Sequence, residues 1–238
     1  MTASRLANCK NTKYEQKMPP PPIEIPCMSG AQTVFLPEPD LLPDQQVNFL
    51  ELVELRATTR MYSKVLLTMK ELSYMLWCTQ GVKMGLPGNG TMRTVPSAGA
   101  RHALETYLYI RNVESLQPGI YRFLAMEHVL TPIDTSEDVQ KRILQGFKAV
   151  NMVKASAVTF IWTAALERMD YMFGERAYRY LFIDAGHVCQ NLYLSAYTIH
   201  TGVCAVGAFY DDVLNEALGL DGEKTFAVYA ATVGKIEE

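Results

Sequence analysis

The sequence predicts an α+β fold, with strands and helices interleaved in no regular βαβ repeat. Three observations carry this expectation. Residues 105–111 (ETYLYIR) and 119–124 (GIYRFL) alternate, are rich in Tyr and Ile, and flank a turn at Gln117-Pro118-Gly119. Residues 157–163 (AVTFIWT) and 225–233 (TFAVYAATV) read as two more buried strands. Residues 176–201 form a stretch long and apolar enough to be a central helix. The chain has 238 residues, 49% hydrophobic and 20% charged, which excludes a mainly disordered chain.

In chain order, residues 1–43 stand apart as a Pro-rich N-terminal arm, and 44–238 form the folded domain. Met18 precedes four consecutive prolines, and Pro26, Pro37, Pro39 and Pro43 follow. Such density forbids helix and favours an extended arm lying across the body. A polyproline ligand for a partner protein is the alternative. Asp44 caps a first helix carrying Val47, Leu50, Leu52, Val53 and Leu55, which ends near Arg56 to Thr59, where two adjacent threonines disfavour helix. Thr68 caps a second helix through Gln80, with Glu71 completing a capping box. Gly81, Gly85, Pro87, Gly88 and Gly90 predict a loop. Beyond the first strand pair, helices are expected over 134–149, 164–173, 176–201 and 211–218.

Composition removes several function classes. The 22 basic and 25 acidic residues leave a net charge of −3, and no basic block suggests nucleic acid. The longest apolar run, 155–166, is too short to span a membrane and carries Ser156 and Thr159. Residues 1–17 are polar, with no signal-peptide core. Five cysteines, widely spaced and without CxxC, read as reduced thiols of a cytoplasmic protein.

Three clusters could carry chemistry. Arg56 and Arg60, four apart, bracket Thr58. Two guanidiniums and a hydroxyl at a helix end suit a phosphate. The competing reading is a solvated basic helix end. Pro96-Ser97-Ala98-Gly99 lies just before a strand, and its small residues allow close approach to a flat ligand. The competing reading is an ordinary tight loop. Asp184, His187 and Gln190-Asn191 sit within the long apolar helix, where polar groups need partners. His187 is expected to be a satisfied core residue rather than a base. No metal site is expected: His187 and His200 would stand about 220° apart on one helix. The sequence has no P-loop, GxGxxG, GxSxG or HExxH, and no residue is expected to act as a protein nucleophile.

Taken in order, these clusters resemble the FMN-dependent nitroreductase family, most closely its SagB-type dehydrogenase branch. The resemblance runs from about Ile23 to Lys235. It rests on Arg56-x-Thr58-x-Arg60-x-Tyr62, Leu76-Trp77-x-x-Gln80-Gly81, Pro96-Ser97-Ala98-Gly99-Ala100 and Pro118-Gly119-Ile120-Tyr121. It continues through Gly174-Glu175-Arg176-Ala177-Tyr178-Arg179-Tyr180, Asp184-Ala185-Gly186-His187, Gln190-Asn191-Leu192, Val206-Gly207-Ala208-Phe209 and Val233-Gly234-Lys235.

The resemblance implies a mixed, mostly antiparallel central sheet flanked by helices, and a homodimer with FMN at the subunit interface. Arg56, Thr58 and Arg60 would grip the FMN phosphate and ribityl chain. Pro96, Ser97 and Ala98, with Gly99 beside them, would reach the flavin from the partner subunit. Gly207 or Ala208 would offer a backbone N–H near flavin N5, and Lys235 would assist the phosphate. The implied activity is NAD(P)H-driven reduction of a nitroaromatic, quinone or similar small acceptor by ping-pong hydride transfer. The flavin does this chemistry, which agrees with the absence of a triad. The alternatives are SagB-like oxidation of peptide azolines and a flavin-binding protein without turnover. Azoline-oxidising members would carry a Lys-Tyr pair where this chain has Met172-Phe173. Ala57 stands where a second basic residue is frequent.

Overall fold

A seven-stranded sheet, with strand order β1-β6-β5-β4-β7-β9-β8, organises the fold. The computed structural model describes residues 11–27, 30–39, 48–87 and 90–237. In chain order the elements are β1 (Val34–Phe35), α1 (Phe49–Leu55), α2 (Met69–Gln80), β2 (Val82–Leu86), β3 (Gly90–Arg93), β4 (Leu104–Ile110), β5 (Gly119–Leu124) and β6 (Val129–Asp134). Then follow α3 (Val139–Gln145), α4 (Val150–Ala155), β7 (Val158–Ala165), α5 (Leu166–Phe173), α6 (Ala177–Tyr197), β8 (Thr201–Val206), α7 (Asp211–Leu218) and β9 (Thr225–Lys235). All the described strand ladders are antiparallel. The fold is α+β with helices on both faces of the sheet, as expected.

Central strand β4 shows why both faces are covered. Leu104, Leu108 and Ile110 point into one apolar cluster with α2 and α6. Tyr107 and Tyr109, at the alternate positions, point into a second cluster with α3, α4 and α7. Helix α2 starts where the sequence places it: Thr68 Oγ1 accepts the Glu71 N–H, and Glu71 accepts the Thr68 N–H. The first helix is described from its Asn48 N-cap, and Asp44 to Val47 lie outside the described residues.

Four expectations change. Val82–Leu86 and Gly90–Arg93 form the antiparallel pair β2–β3 within the stretch expected to be a loop. The cross-strand pairs Met84–Met92, Gly85–Thr91 and Leu86–Gly90 hold the two strands together, with an irregularity between Val82 and Met84. Asp134 ends strand β6 instead of opening a helix. The helical stretch that follows breaks at Gly146 into α3 and α4. Residue 201 begins β8, because α6 stops at Tyr197. His187 is exposed rather than in the core. The buried stripe of α6 runs through Leu181, Asp184, Ala185, Val188, Cys189 and Leu192, and His187 falls on the opposite side of the helix.

The described part of the Pro-rich arm crosses the body and is held by a buried ion pair. Arg168 pairs with Glu105, both nearly inaccessible to solvent. Arg168 Nε donates to the Pro22 carbonyl at 3.0 Å, and Glu105 accepts the Ile25 N–H at 3.0 Å. Glu24 accepts the Ala125 N–H at 2.6 Å, and burial pushes its carboxyl up. The boundary at residues 43–44 lies outside the described residues. The four described cysteines, Cys27, Cys78, Cys189 and Cys204, are free thiols. No described helix is long and apolar enough to cross a membrane.

Candidate functional site

The Arg56–Arg60 segment leaves α1 and runs along the open edge of β8, the last strand of the sheet. Its anchor is a backbone bond from the Thr59 N–H to the Val203 carbonyl, 2.9 Å. Two glycines paired across β8 and β9, Gly202 and Gly234, make room for it. A Cβ on Gly202 would stand 2.7 Å from Thr59 Cβ, and one on Gly234 would stand 2.8 Å from Tyr62 Cγ. The Tyr62 hydroxyl then bonds both Thr232 Oγ1 (2.8 Å) and the Thr59 carbonyl (2.9 Å). The segment is therefore a fixed strip, with its polar side chains at the surface.

Tyr193 of α6 organises that strip. Its hydroxyl lies 3.2 Å from Thr58 Oγ1 and accepts the Ala205 N–H at 2.9 Å. The Arg56 guanidinium sits over its ring, 5.4 Å from the centroid. Arg60 stands beside the Cys204 thiol, whose pKa burial raises and Arg60 draws back down. Among the described residues neither Arg56 nor Arg60 pairs with a carboxylate. Two guanidiniums without counter-ions around an exposed hydroxyl form a donor set that suits a phosphate. That set fits the phosphate of FMN.

Gly207 and Ala208 follow β8 directly and are exposed. The Ala208 carbonyl accepts the Lys148 N–H at 3.3 Å, so this loop is fastened to the turn between α3 and α4. Arg60 and residues 148–152 line an open hollow of about 500 Å³. The structure thus brings Arg60 to the same end of the sheet as the 207–208 loop.

Ser97 and Ala98 lie elsewhere. The Ala98 N–H donates to Asp184 Oδ1 at 3.3 Å, and Ser97 Oγ accepts the His102 N–H at 2.9 Å. Gly99 adopts φ +57°, and a Cβ there would stand 2.5 Å from Met172 Sδ. Pro96 is exposed. Asp184 and Tyr193 are nine residues apart on α6, about 13 Å along its axis. Within one chain the two clusters are separate.

Lys235 is near the strip but already engaged. Its ammonium pairs with Glu71 and donates to the Ile199 carbonyl at 3.0 Å. An anion drawn to Lys235 would compete with Glu71. Sequence reasoning missed Tyr193 and Lys148, since neither carries a local signal and both meet the strip only through the fold. Among the described residues no cluster of His, Cys, Asp and Glu is placed to hold a metal ion.

A family model described as the nitroreductase family matches residues 53–235. The chain belongs to the nitroreductase family. Protein MJ1384 of Methanocaldococcus jannaschii, named as a nitroreductase, is 31% identical over 195 residues, covering 82% of this chain and 94% of that protein. The trifolitoxin-processing protein TfxB of Rhizobium leguminosarum bv. trifolii is 27% identical over 169 residues, covering 69% of this chain and 40% of that longer protein. The crystal structure of a Ralstonia eutropha JMP134 protein named as a nitroreductase superimposes with a TM-score of 0.72 at 24% identity, covering 93% of this chain and 95% of the other. A Desulfovibrio desulfuricans structure, described as a nitroreductase in complex with FMN, has a TM-score of 0.56 at 14% identity, covering 82% of this chain and 89% of the other. In this nitroreductase-family chain the aligned span takes in the Arg56–Arg60 strip, the 96–99 loop, the 207–208 loop and Lys235.

Proposed function

We propose that this nitroreductase-family chain is an FMN-dependent oxidoreductase. In this reading it takes electrons from NAD(P)H and reduces a nitroaromatic, quinone or similar small acceptor. The observation that carries the reading is the strip itself: Arg56 and Arg60, unpaired with any carboxylate among the described residues, flank the Thr58 hydroxyl, and Arg60 shares its end of the sheet with the exposed 207–208 loop. When bound, FMN would supply the hydride chemistry. The chain's own part is to hold the phosphate with Arg56, Thr58 and Arg60 and to present a backbone N–H from Gly207 or Ala208 to the ring. The D. desulfuricans structure supports FMN as the ligand class.

The same reading makes the chain a homodimer. Asp184, which holds the 96–99 loop, and Tyr193, which holds the strip, are about 13 Å apart along α6, and in this reading one flavin takes the strip from one subunit and the 96–99 loop from the other. Exposed apolar side chains support this: Phe49 is 70% exposed on α1, and Phe182 is 61% exposed on α6. The reading also places the protein in the cytoplasm, where free thiols such as Cys78 and Cys204 persist.

Oxidation of a peptide azoline is the second reading, and the likeness to TfxB favours it. Met172 and Phe173 weigh against it. Both pack on Gly99, and neither can act as a base there.

The test is the visible spectrum of the purified protein before and after anaerobic NADH or NADPH. A flavin double band that either donor bleaches is the expected result. A band that resists both donors would point to flavin binding without turnover. No band after addition of FMN would overturn the reading.

A further inference from the structure

We infer that the Pro-rich arm is a proton-linked strap: Glu24 latches it to the body in acid, and its hold loosens as pH rises. The latch is independent of the flavin reading above. No strand ladder holds residues 22–26. Side chains of the body grip the arm's main chain instead. Arg168 donates to the Pro22 carbonyl, Glu105 accepts the Ile25 N–H, and Arg122 Nη2 donates to the Pro26 carbonyl at 3.4 Å. In return residues 18–27 offer a single charged side chain, Glu24. Its Oε1 accepts the Ala125 N–H at 2.6 Å and the Met126 N–H at 3.3 Å, at the turn after β5. A neutral carboxyl keeps an acceptor oxygen, so both bonds survive protonation.

The Glu24 charge lacks a cation. The side chain is half-buried and makes no ion pair among the described residues. Arg168 is already matched by Glu105. Arg93 of β3 gives its donors to Gln80 Oε1 (3.0 Å) and Thr91 Oγ1 (3.1 Å). His102 stays neutral, pushed down to about 3 by burial and by Arg93. Glu105 opposes a second carboxylate beside it. Glu167 and Asp221 add two acids, against Lys224, around the hollow of about 260 Å³ that Glu24 lines. Exposed Glu127 adds another in the turn. Burial and the Glu105 charge push the Glu24 carboxyl up, against the two N–H bonds and Arg93. The docked arm then holds this proton more tightly than a free arm. Docking is strongest below the free carboxyl value of about 4.3 and weakens as pH rises through the raised docked value.

Hydrogen exchange on the full chain reads the strap at single amides: Ile25 reports the bond to Glu105, and Ala125 the bond to Glu24. Each rate is divided by the unstructured rate at the same pH. In the wild type, protection at both amides should fall severalfold between about pH 5 and about pH 8, and by no more than about tenfold per pH unit for one proton. Glu24→Gln, neutral throughout and still an acceptor, should keep the acid level of protection and lose the slope. Glu24→Ala, with no acceptor, should lower protection at both ends of the range. Protection independent of pH in the wild type overturns the inference, as does a slope that survives in Glu24→Gln. Loss of protection in Glu24→Gln under acid also overturns it, because the charge rather than the proton would then hold the arm.

Discussion

Tyr193 holds its phenolic oxygen 3.2 Å from Thr58 Oγ1. The same oxygen accepts the Ala205 N–H, so its own proton is available to Thr58. Thr58 can then accept from Tyr193 and aim its hydroxyl proton outward, toward an anion. Tyr193→Phe removes this orientation and leaves the Ala205 N–H without its acceptor. A loss of stability of about 1–3 kcal/mol is expected from the orphaned N–H. FMN affinity should fall severalfold in the same variant. Urea unfolding and flavin titration check the two effects separately, and unchanged values in both would remove Tyr193 from the site.

Arg60→Ala tests the strip directly. A charge-assisted bond to phosphate is worth about 1.5–3 kcal/mol, so FMN affinity should fall by one to two orders of magnitude. Arg60 is exposed, so the melting temperature should hardly move. Equal flavin affinity in wild type and variant would show that the phosphate binds elsewhere.

The buried Arg168–Glu105 pair makes a different prediction, about the arm. Arg168→Met leaves Glu105 charged and buried, at a cost of about 3–5 kcal/mol. It also removes the donor to the Pro22 carbonyl. Unfolding should shift to lower urea, and cleavage by protease should appear first within the Pro-rich arm. Adding Glu105→Gln should recover part of the loss, since it removes the buried carboxylate that has lost its Arg168 partner. A double variant as unstable as the sum of its parts would contradict this account.

Asp184 links the 96–99 loop to pH. Burial raises its carboxyl pKa, while bonds from Ser97 and Ala98 and the nearby His187 act the other way. With the folded pKa above the unfolded one, the folded state holds the proton more tightly. Stability is then greatest below the unfolded value of about 4 and falls as pH rises through the raised folded value. Glu24, also raised by burial, adds a slope of the same sign. Asp184→Asn should therefore flatten the curve of stability against pH without abolishing its slope. Urea midpoints across the acidic range measure this, and parallel curves for variant and wild type would refute it.

The sequence was most legible where a signal is local. Thr68 and Glu71 are three residues apart, and their capping box is written in that spacing. Arg56, Thr58 and Arg60 are likewise neighbours, and the fold needed only to display them. Legibility failed where tertiary context outweighed a local signal. Gly85 and Gly90 read as loop residues, yet Gly85 pairs with Thr91 and Gly90 with Leu86 across β2 and β3. Asp134 reads as the first residue of a helix, yet it pairs with Ile120 at the end of β6. His187 read as a core residue because its neighbours are apolar, and only the buried stripe of α6 shows that it faces outward. Lys235 was visible as a cation, but its partner Glu71 lies at the start of α2 and is known only from the fold.

Gly99 gives the last prediction, because two separable effects meet there. Its φ of +57° disfavours any residue with a Cβ, at a cost of about 1–2 kcal/mol. A Cβ would also stand 2.5 Å from Met172 Sδ and 3.1 Å from Phe173 Cζ. The Met172 end can swing away, but the Phe173 ring is packed 4.5 Å from that of Tyr180. Gly99→Ala should therefore destabilise by more than the backbone term alone. The excess belongs to the contact with the packed ring and should shrink in a Phe173→Ala background, while the backbone term should persist. A double-mutant cycle in urea separates them. Full additivity would mean that Phe173 does not press on the loop, and that backbone conformation alone requires glycine at this position.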